Sequence, residues 1–305
     1  MEQYDLIIIG AGPAGMAAAI YGARADLNVL MLDKLAPGGQ IINTNMIENY
    51  PGIDSINGAT LGYNMYLHTQ NLNVAFDYRT VVKIEDKGNE KIVHCLENEM
   101  QYSCKSIIVA TGTTPRKTGL ASEEKFINKG ISWCAICDGA QFKNKDVVVI
   151  GGGNSAVEES IYLAGIVKSL TIITMFDLTA DLIACDKLRS FKNVTIYPYQ
   201  DIKEFTGDDV LSGVVFQSTK TGEIKTVACQ GVFEYIGLKP TTIFLENLNI
   251  LNKQGYLQVN DQMETSIKGI YGAGDCIEKE IRQVVTACND GAIAALNASH
   301  YIQKL

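Results

Sequence analysis

Short unbroken apolar runs alternate along the chain with longer segments of helical period. The runs Asp5–Ile9, Asn28–Leu32, Ser106–Val109, Asp146–Ile150 and Ser169–Thr174 lack the in–out alternation of a half-solvated strand. They predict strands buried on both faces, as in a parallel sheet. Helices are expected over Met16–Ala25 and Val157–Gly165, with a closing helix over Arg282–Ala298. Strand, helix and strand in that order, given twice, predict an α/β fold of two dinucleotide-binding (Rossmann-like) three-layer domains. The strand from Ser106 runs into the turn Ala110-Thr111-Gly112, and Gly269–Asp275 repeats that plan near the end. The first domain is therefore expected to be discontinuous, residues 1–114 and 244–305. The second, residues 115–243, is inserted into it, and two chain crossings form a hinge.

The turns between strand and helix carry the first chemistry. Gly10-Ala11-Gly12-Pro13-Ala14-Gly15 follows the first strand as a GxGxxG, and Asp33 ends the next strand. Gly10 permits the tight turn, Gly12 lets backbone amides approach a pyrophosphate, and Gly15 lets the helix pack closely on the strand. The positive end of the helix then faces the phosphates. Asp33 lies near the offset, about 20 residues, at which an acid accepts from an adenosine ribose. Gly151-Gly152-Gly153-Asn154-Ser155-Ala156 fits the same pattern as GxGxxA, which implies a second dinucleotide-type unit.

Composition narrows the class. With 305 residues, 47% hydrophobic and 20% charged, the chain can bury sizeable cores and is not a disordered one. A net charge of −8 disfavours a nucleic-acid partner, which would need clustered Lys and Arg. The start Met1-Glu2-Gln3-Tyr4-Asp5 has no basic segment before the first strand, and no 18-residue apolar span follows. The expectation is a cytoplasmic protein without a membrane partner.

Eight cysteines without a signal peptide do not suggest a secreted disulfide framework. Two stand out in Trp133-Cys134-Ala135-Ile136-Cys137-Asp138-Gly139. Two thiols at that spacing can close a small disulfide loop and exchange with another disulfide. A structural zinc site would need a second Cys or His pair, whereas Cys95, Cys104, Cys185, Cys229, Cys276 and Cys288 are scattered singly and His68, His94 and His300 form no ligand pair. No metal is expected, and the six other cysteines read as small buried hydrophobes. Asp138 suits proton transfer to a thiolate, although an acid before Gly139 also suits a turn.

With both glycine fingerprints, the Ala110-Thr111-Gly112 turn, the Gly274-Asp275 turn and CAICDG between them, the sequence resembles the low-molecular-weight thioredoxin reductases over essentially its whole length. Gly38-Gly39-Gln40, Glu48-Asn49-Tyr50-Pro51-Gly52 and Arg282-Gln283-Val284 extend the resemblance. It implies FAD in the first domain, a homodimer, and a redox pair on the inserted domain that serves thioredoxin. Gly10, Gly12, Pro13, Ala14, Gly15 and Asp33 would then hold the ADP half of FAD. Gly39, Gln40, Asn49, Ala110, Thr111, Gly112, Gly274, Asp275, Arg282, Gln283 and Val284 would complete the cofactor site. Cys137 would face the flavin, Cys134 would attack the partner disulfide, and Asp138 would protonate the departing thiolate.

One part of the family pattern is absent. NADPH-using members end the strand of the second unit in HRRxxxR, and here Thr174, Met175, Phe176 and Ala180 occupy those four positions. No Lys or Arg occurs from Ser169 to Asp186, whereas Asp177, Asp181 and Asp186 do. A ribose 2′-phosphate among carboxylates is repelled and poorly hydrogen-bonded. This resembles the ferredoxin-dependent flavin thioredoxin reductases, which implies reduced ferredoxin as donor. NADH, with Asp177 or a nearby acid accepting the ribose 2′-hydroxyl, and NADPH held by other cations stay open as donors. A flavin-dependent dithiol oxidase and a redox-silent flavoprotein share the scaffold. An acidic ferredoxin needs a basic docking surface, and Lys117, Lys125, Lys129, Lys143 and Lys145 flank the redox pair.

Overall fold

A computed structural model describes residues 1–44 and 47–305, and the side chains of Ile136 and Cys137 lie outside that description. The chain forms two compact units, Met1–Thr114 with Lys239–Leu305, and Pro115–Leu238. The return crossing falls ahead of the 243 read from the sequence. Leu238–Pro240 is a short strand paired with Thr113–Pro115, so both crossings lie on one two-stranded ribbon.

In the first unit, Ala75–Tyr78, Val29–Asp33, Glu2–Ile9 and Gln101–Val109 lie side by side as parallel strands. Ile270–Gly272 adds to the far end of Gln101–Val109. An antiparallel pair, Lys91–Cys95 and Val81–Asp86, extends the sheet from the other end of that strand. The apolar run of the first strand feeds two cores, as period two requires. Leu6 and Ile8 pack with the helices Pro13–Arg24 and Val284–Ile302, whereas Ile7 and Ile9 pack with Tyr102, Leu245 and Leu257. All four are at most 3% exposed, and each such side chain contributes roughly 1.5–3 kcal/mol on burial. The closing helix starts at Val284, two residues after the expected Arg282, because Gln283 caps it.

The second unit repeats the plan with a five-stranded parallel sheet, in the order Val194–Pro198, Ser169–Thr174, Asp146–Ile150, Gly231–Glu234, Ile131–Ser132. Val147 and Val149 face the helices Asn154–Ala164 and Leu182–Arg189. Val148 and Ile150 face the antiparallel sheet of Gln200–Gly207, Leu211–Ser218 and Ile224–Ala228, which is the third layer. Among the described residues no helix is long and apolar enough to cross a membrane.

Candidate functional site: a redox pair and a dinucleotide cradle

The expected redox pair follows the end of the shortest strand of the second unit. Ile131–Ser132 leads through Trp133 into Cys134 and the one-turn helix Ala135–Asp138. Cys134 is disulfide-bonded, and Cys95, Cys104, Cys185, Cys229, Cys276 and Cys288 are free. The side-chain role expected of Cys137 lies outside the described residues. Burial pushes the Cys95 and Cys276 thiols up to about 11, so they stay protonated and inert at neutral pH.

The backbone around Cys134 is tied at three points. Cys134 N donates to Ser132 Oγ at 3.1 Å, and Asp138 N donates to Cys134 O at 3.1 Å. Ser132 Oγ sits 2.6 Å from Asp138 Oδ2 and 3.5 Å from Cys134 O, so its single proton goes to the carboxylate. Gln141 Nε2 approaches the other oxygen, Asp138 Oδ1, at 3.3 Å. The Asp138 carboxyl is thus held back across the loop that carries Cys134. Ala135 N donates to the Tyr235 hydroxyl at 3.0 Å, and Trp133 Nε1 donates to Glu234 Oε2 at 3.1 Å. Ser132, Glu234 and Tyr235 were not singled out from the sequence. A serine two residues before the cysteine was a readable turn signal, whereas strand residues a hundred positions away gave none.

In the first unit the predicted cofactor residues converge in two groups. At the glycine turn, Gly10 has φ of +110°, and a Cβ there would meet Ala110 O at 2.3 Å. Gly38 N donates to Ala11 O at 2.8 Å, which brings Gly39 against Gly12, where a Cβ on Gly39 would meet Gly12 Cα at 2.9 Å. A Cβ on Gly12 would meet nothing nearer than 3.8 Å, so one face of this bare backbone stays open while Gly10, Gly15 and Gly39 are hemmed in. Pro13 and Ala14 begin the helix that rises from it. Asp33 Oδ2 accepts from Ala11 N at 2.7 Å and Oδ1 from Leu35 N at 2.9 Å, leaving each oxygen a further lone pair for a ligand hydroxyl.

The second group lies around the start of the closing helix. Asn49 Nδ2 donates to Gln283 Oε1 at 3.0 Å, and Gln283 N donates to Thr286 Oγ1 at 3.2 Å in the cap that presents Val284. Gln40 Nε2 reaches Thr113 O, beyond Gly112, at 3.4 Å. Gly274, at φ +74°, donates its N–H to Asp290 Oδ2 at 3.1 Å, and Lys279 Nζ binds the same oxygen. Burial raises the Asp275 carboxyl against the pull of Lys279 and Arg282.

Two polar atoms test the fit to a cofactor. Arg282 Nε is buried without a hydrogen-bond partner among the described residues, its guanidinium stacked 4.8 Å over Tyr256. The Thr111 hydroxyl is likewise buried without a hydrogen-bond partner among the described residues. Such atoms cost about 1–3 kcal/mol each when left unmade, and a polar ligand removes that cost. Both stand at positions expected along the cofactor, so the residues present fit FAD.

The nucleotide turn of the second unit keeps its backbone but not its cations. Thr174, the strand-terminal residue, is 6% exposed and packs its hydroxyl against Gly152. Met175 and Phe176 are 54% and 64% exposed, so apolar side chains form the rim where basic ones were expected in NADPH-using members. The structure also brings in one cation that the stretch Ser169–Asp186 did not contain. Arg189 comes back from its helix to Asp177, Nη2 to Oδ1 at 3.4 Å. Among the described residues no group of His, Cys, Asp and Glu could hold a metal ion. Of the flanking lysines, Lys117 is paired with Glu124 and Lys125 with Gly207 O, while Lys129, Lys143 and Lys145 are exposed.

Two dinucleotide folds, one with a glycine-cradled cofactor site and one with a disulfide, define a flavoprotein disulfide oxidoreductase. Comparison with known proteins agrees. The family described as pyridine nucleotide-disulphide oxidoreductase matches residues 4–291. The thioredoxin reductase of Mycoplasma pneumoniae is 45% identical over 96% of this chain and 93% of its own. The solved thioredoxin reductase of Lactococcus lactis superposes with a TM-score of 0.97 at 40% identity, covering 99% of this chain and 100% of that one. A ferredoxin-flavin thioredoxin reductase of Clostridium acetobutylicum aligns over 100% of both chains at 27% identity and a TM-score of 0.55. The chain belongs to the low-molecular-weight thioredoxin reductases of the pyridine nucleotide-disulphide oxidoreductase family, and it is an FAD-binding oxidoreductase.

Proposed function

We propose that the chain, acting as a homodimer, passes electrons from FAD through Cys134 and Cys137 to the disulfide of a thioredoxin, and that reduced ferredoxin supplies them. Bound FAD, once reduced, delivers two electrons to a disulfide. Gly10, Gly12, Gly15 and Asp33 would hold its ADP half. Gln40, Asn49, Thr111, Asp275, Arg282 and Gln283 would line the remainder. With the pair reduced, the Cys134 thiolate attacks the thioredoxin disulfide and forms a mixed disulfide. Cys137 then attacks Cys134, the internal disulfide closes, and thioredoxin leaves as the dithiol. Asp138, oriented by Ser132 and Gln141, takes up a proton from solvent and passes it to the departing thiolate.

The donor rests on one observation. The strand end that would have to accept a ribose 2′-phosphate presents Thr174, exposed Met175 and Phe176, and an Asp177 that engages Arg189, the cation brought in by the fold. A phosphate placed there competes with Asp177 for that arginine. The intact glycine turn favours NADH as the second reading. An anaerobic titration separates them, following flavin absorbance with NADPH, NADH and chemically reduced ferredoxin in separate cuvettes, then adding oxidised thioredoxin. The expected result is bleaching by ferredoxin alone, reversed by thioredoxin. Rapid bleaching by either nicotinamide overturns the donor, and bleaching that thioredoxin does not reverse overturns the acceptor.

A further inference from the structure

Two successive residues at the end of one strand grip the two neighbours of Cys134 in the chain. Glu234 accepts from Trp133 Nε1, and Tyr235, pointing to the opposite face, accepts from Ala135 N. Tyr235 is a half-buried neutral hydroxyl, whereas Glu234 is a buried acid. It is 1% exposed, and so is Glu123, the carboxyl that neighbours it. Oε1 of both residues is buried with no hydrogen-bond partner among the described residues. Two acceptors facing one another in a dry site are satisfied by a single shared proton.

We propose that Glu123 and Glu234 share one proton and act together as a positioning pair, which fixes Trp133 and hence the approach to Cys134 and releases it when the proton is lost. The anchoring is uneven, and this decides which member yields. Glu123 Oε2 accepts from Thr118 Oγ1 and, at 2.8 Å, from Gly119 N, whereas among the described residues only Trp133 donates to Glu234. When both carboxyls are charged, Glu123 stays and Glu234 moves, taking the indole with it. Burial, and then the charge of Glu123, push the Glu234 carboxyl up to about 8. The other charged groups facing the pair are Lys117 and its partner Glu124; Lys117 lies 5.8 Å above the Trp133 ring. Since Lys117 already neutralises Glu124, it cannot fully balance a second buried carboxylate.

The inference rests on Cys134 as the exchanging sulfur, and Trp133 lets it be tested apart from that reading, because it is the protein's sole tryptophan. In the oxidised, FAD-loaded protein, where Cys134 does not titrate, tryptophan emission is expected to change in one step with a midpoint between about pH 7 and 9. Glu234→Gln, which keeps an acceptor for the indole and supplies a donor to Glu123, should remove the step. Should that variant fail to retain FAD, Glu123→Gln should shift the midpoint down by at least about one unit, since the like charge is gone.

The rate at which a small dithiol reduces the disulfide is then measured for both proteins at each pH, and the ratio cancels titration of the reductant. That ratio should change about three-fold or more across the same pH range, because Trp133 adjoins the sulfur under attack. An emission step that survives in Glu234→Gln overturns the shared proton. A flat ratio from pH 6 to 9.5 overturns the positioning role. Failure to reduce thioredoxin touches neither measurement and counts only against the proposed function.

Discussion

The two glycine turns of this protein are built on one backbone plan and part at the end of the strand that follows each. In the first unit Gly10 N donates to Leu32 O at 2.7 Å and Ala110 N to Ile9 O at 2.7 Å. In the second, Gly151 N donates to Ile173 O at 2.9 Å and Tyr235 N to Ile150 O at 2.7 Å. A Cβ on Gly10 would meet Ala110 O at 2.3 Å, and one on Gly151 would meet Tyr235 O at 2.2 Å. Even the returning loop matches, with Gly38 N to Ala11 O in one and Thr179 N to Gly152 O in the other. The strand ends differ. Asp33 sends a carboxylate to Ala11 N, while Thr174 packs a hydroxyl against Gly152. The glycines therefore report how two strands and a helix close on each other, which every such unit needs. Selection among nucleotides is made at the strand terminus, and there the units have parted.

The third position of the fingerprint gives the sharpest way to break this comparison. A Cβ on Gly15 would stand 1.8 Å from Gly10 O, whereas Ala156 already carries one at the matching place in the second unit. Gly15→Ala should therefore cost about 3 kcal/mol, the upper end for overpacking, since the obstacle is backbone. That corresponds to a Tm lower by roughly 6–12 °C in a domain of this size, with FAD lost on purification. Ala156→Gly should cost about 1 kcal/mol or less. Thermal unfolding of both variants decides, and equal losses would mean the two helices are seated alike.

Exchanging the strand-terminal residues tests selection itself. Asp33→Thr makes the first unit resemble the second, and the loss of a charge-assisted hydrogen bond, about 1.5–3 kcal/mol, should weaken FAD roughly 10- to 100-fold. Equilibrium dilution followed by flavin fluorescence measures it. If affinity held, Asp33 would serve only to tie Ala11 and Leu35 and would contribute nothing to the cofactor.

The parts of this architecture readable from sequence were those set by local rules. Strand runs, glycine turns and the helix behind each follow from neighbours in the chain, so the fold class and the residues at the Gly10 and Gly151 turns were legible. The bounds moved by a few residues where a side chain capped a helix, as Gln283 does ahead of Val284. What escaped was set by contacts between distant segments. Arg189 answers Asp177 only because its helix packs back beneath the strand end, so a scan that stopped at Asp186 missed it. Glu234 had no signal at all, since an acid at a strand end reads as a solvated tip. In the fold it is buried between Trp133 and Glu123.

The smallest effect contrasts the units through their half-buried acids. In the first, Asp5 is held low against its burial by Lys105 and Asn28 N, so its contribution is lost as pH falls. In the second, burial and then Glu158 raise Glu159 to about 7, and its Oε2 is buried with no partner among the described residues. An acid whose folded pKa lies above its unfolded value binds more protons folded than unfolded. Its contribution is whole below about 4.5 and is lost as pH climbs through about 7. Raising pH from 5 to 8 should thus lower stability by on the order of 1–2 kcal/mol from Glu159 alone, read as a falling Tm. Glu159→Gln should flatten that part of the profile, while Asp5→Asn should leave it unchanged and flatten the acid side. If Glu159→Gln kept the full alkaline loss, the instability would belong to the Glu123–Glu234 pair, which removal of Glu234 would then abolish.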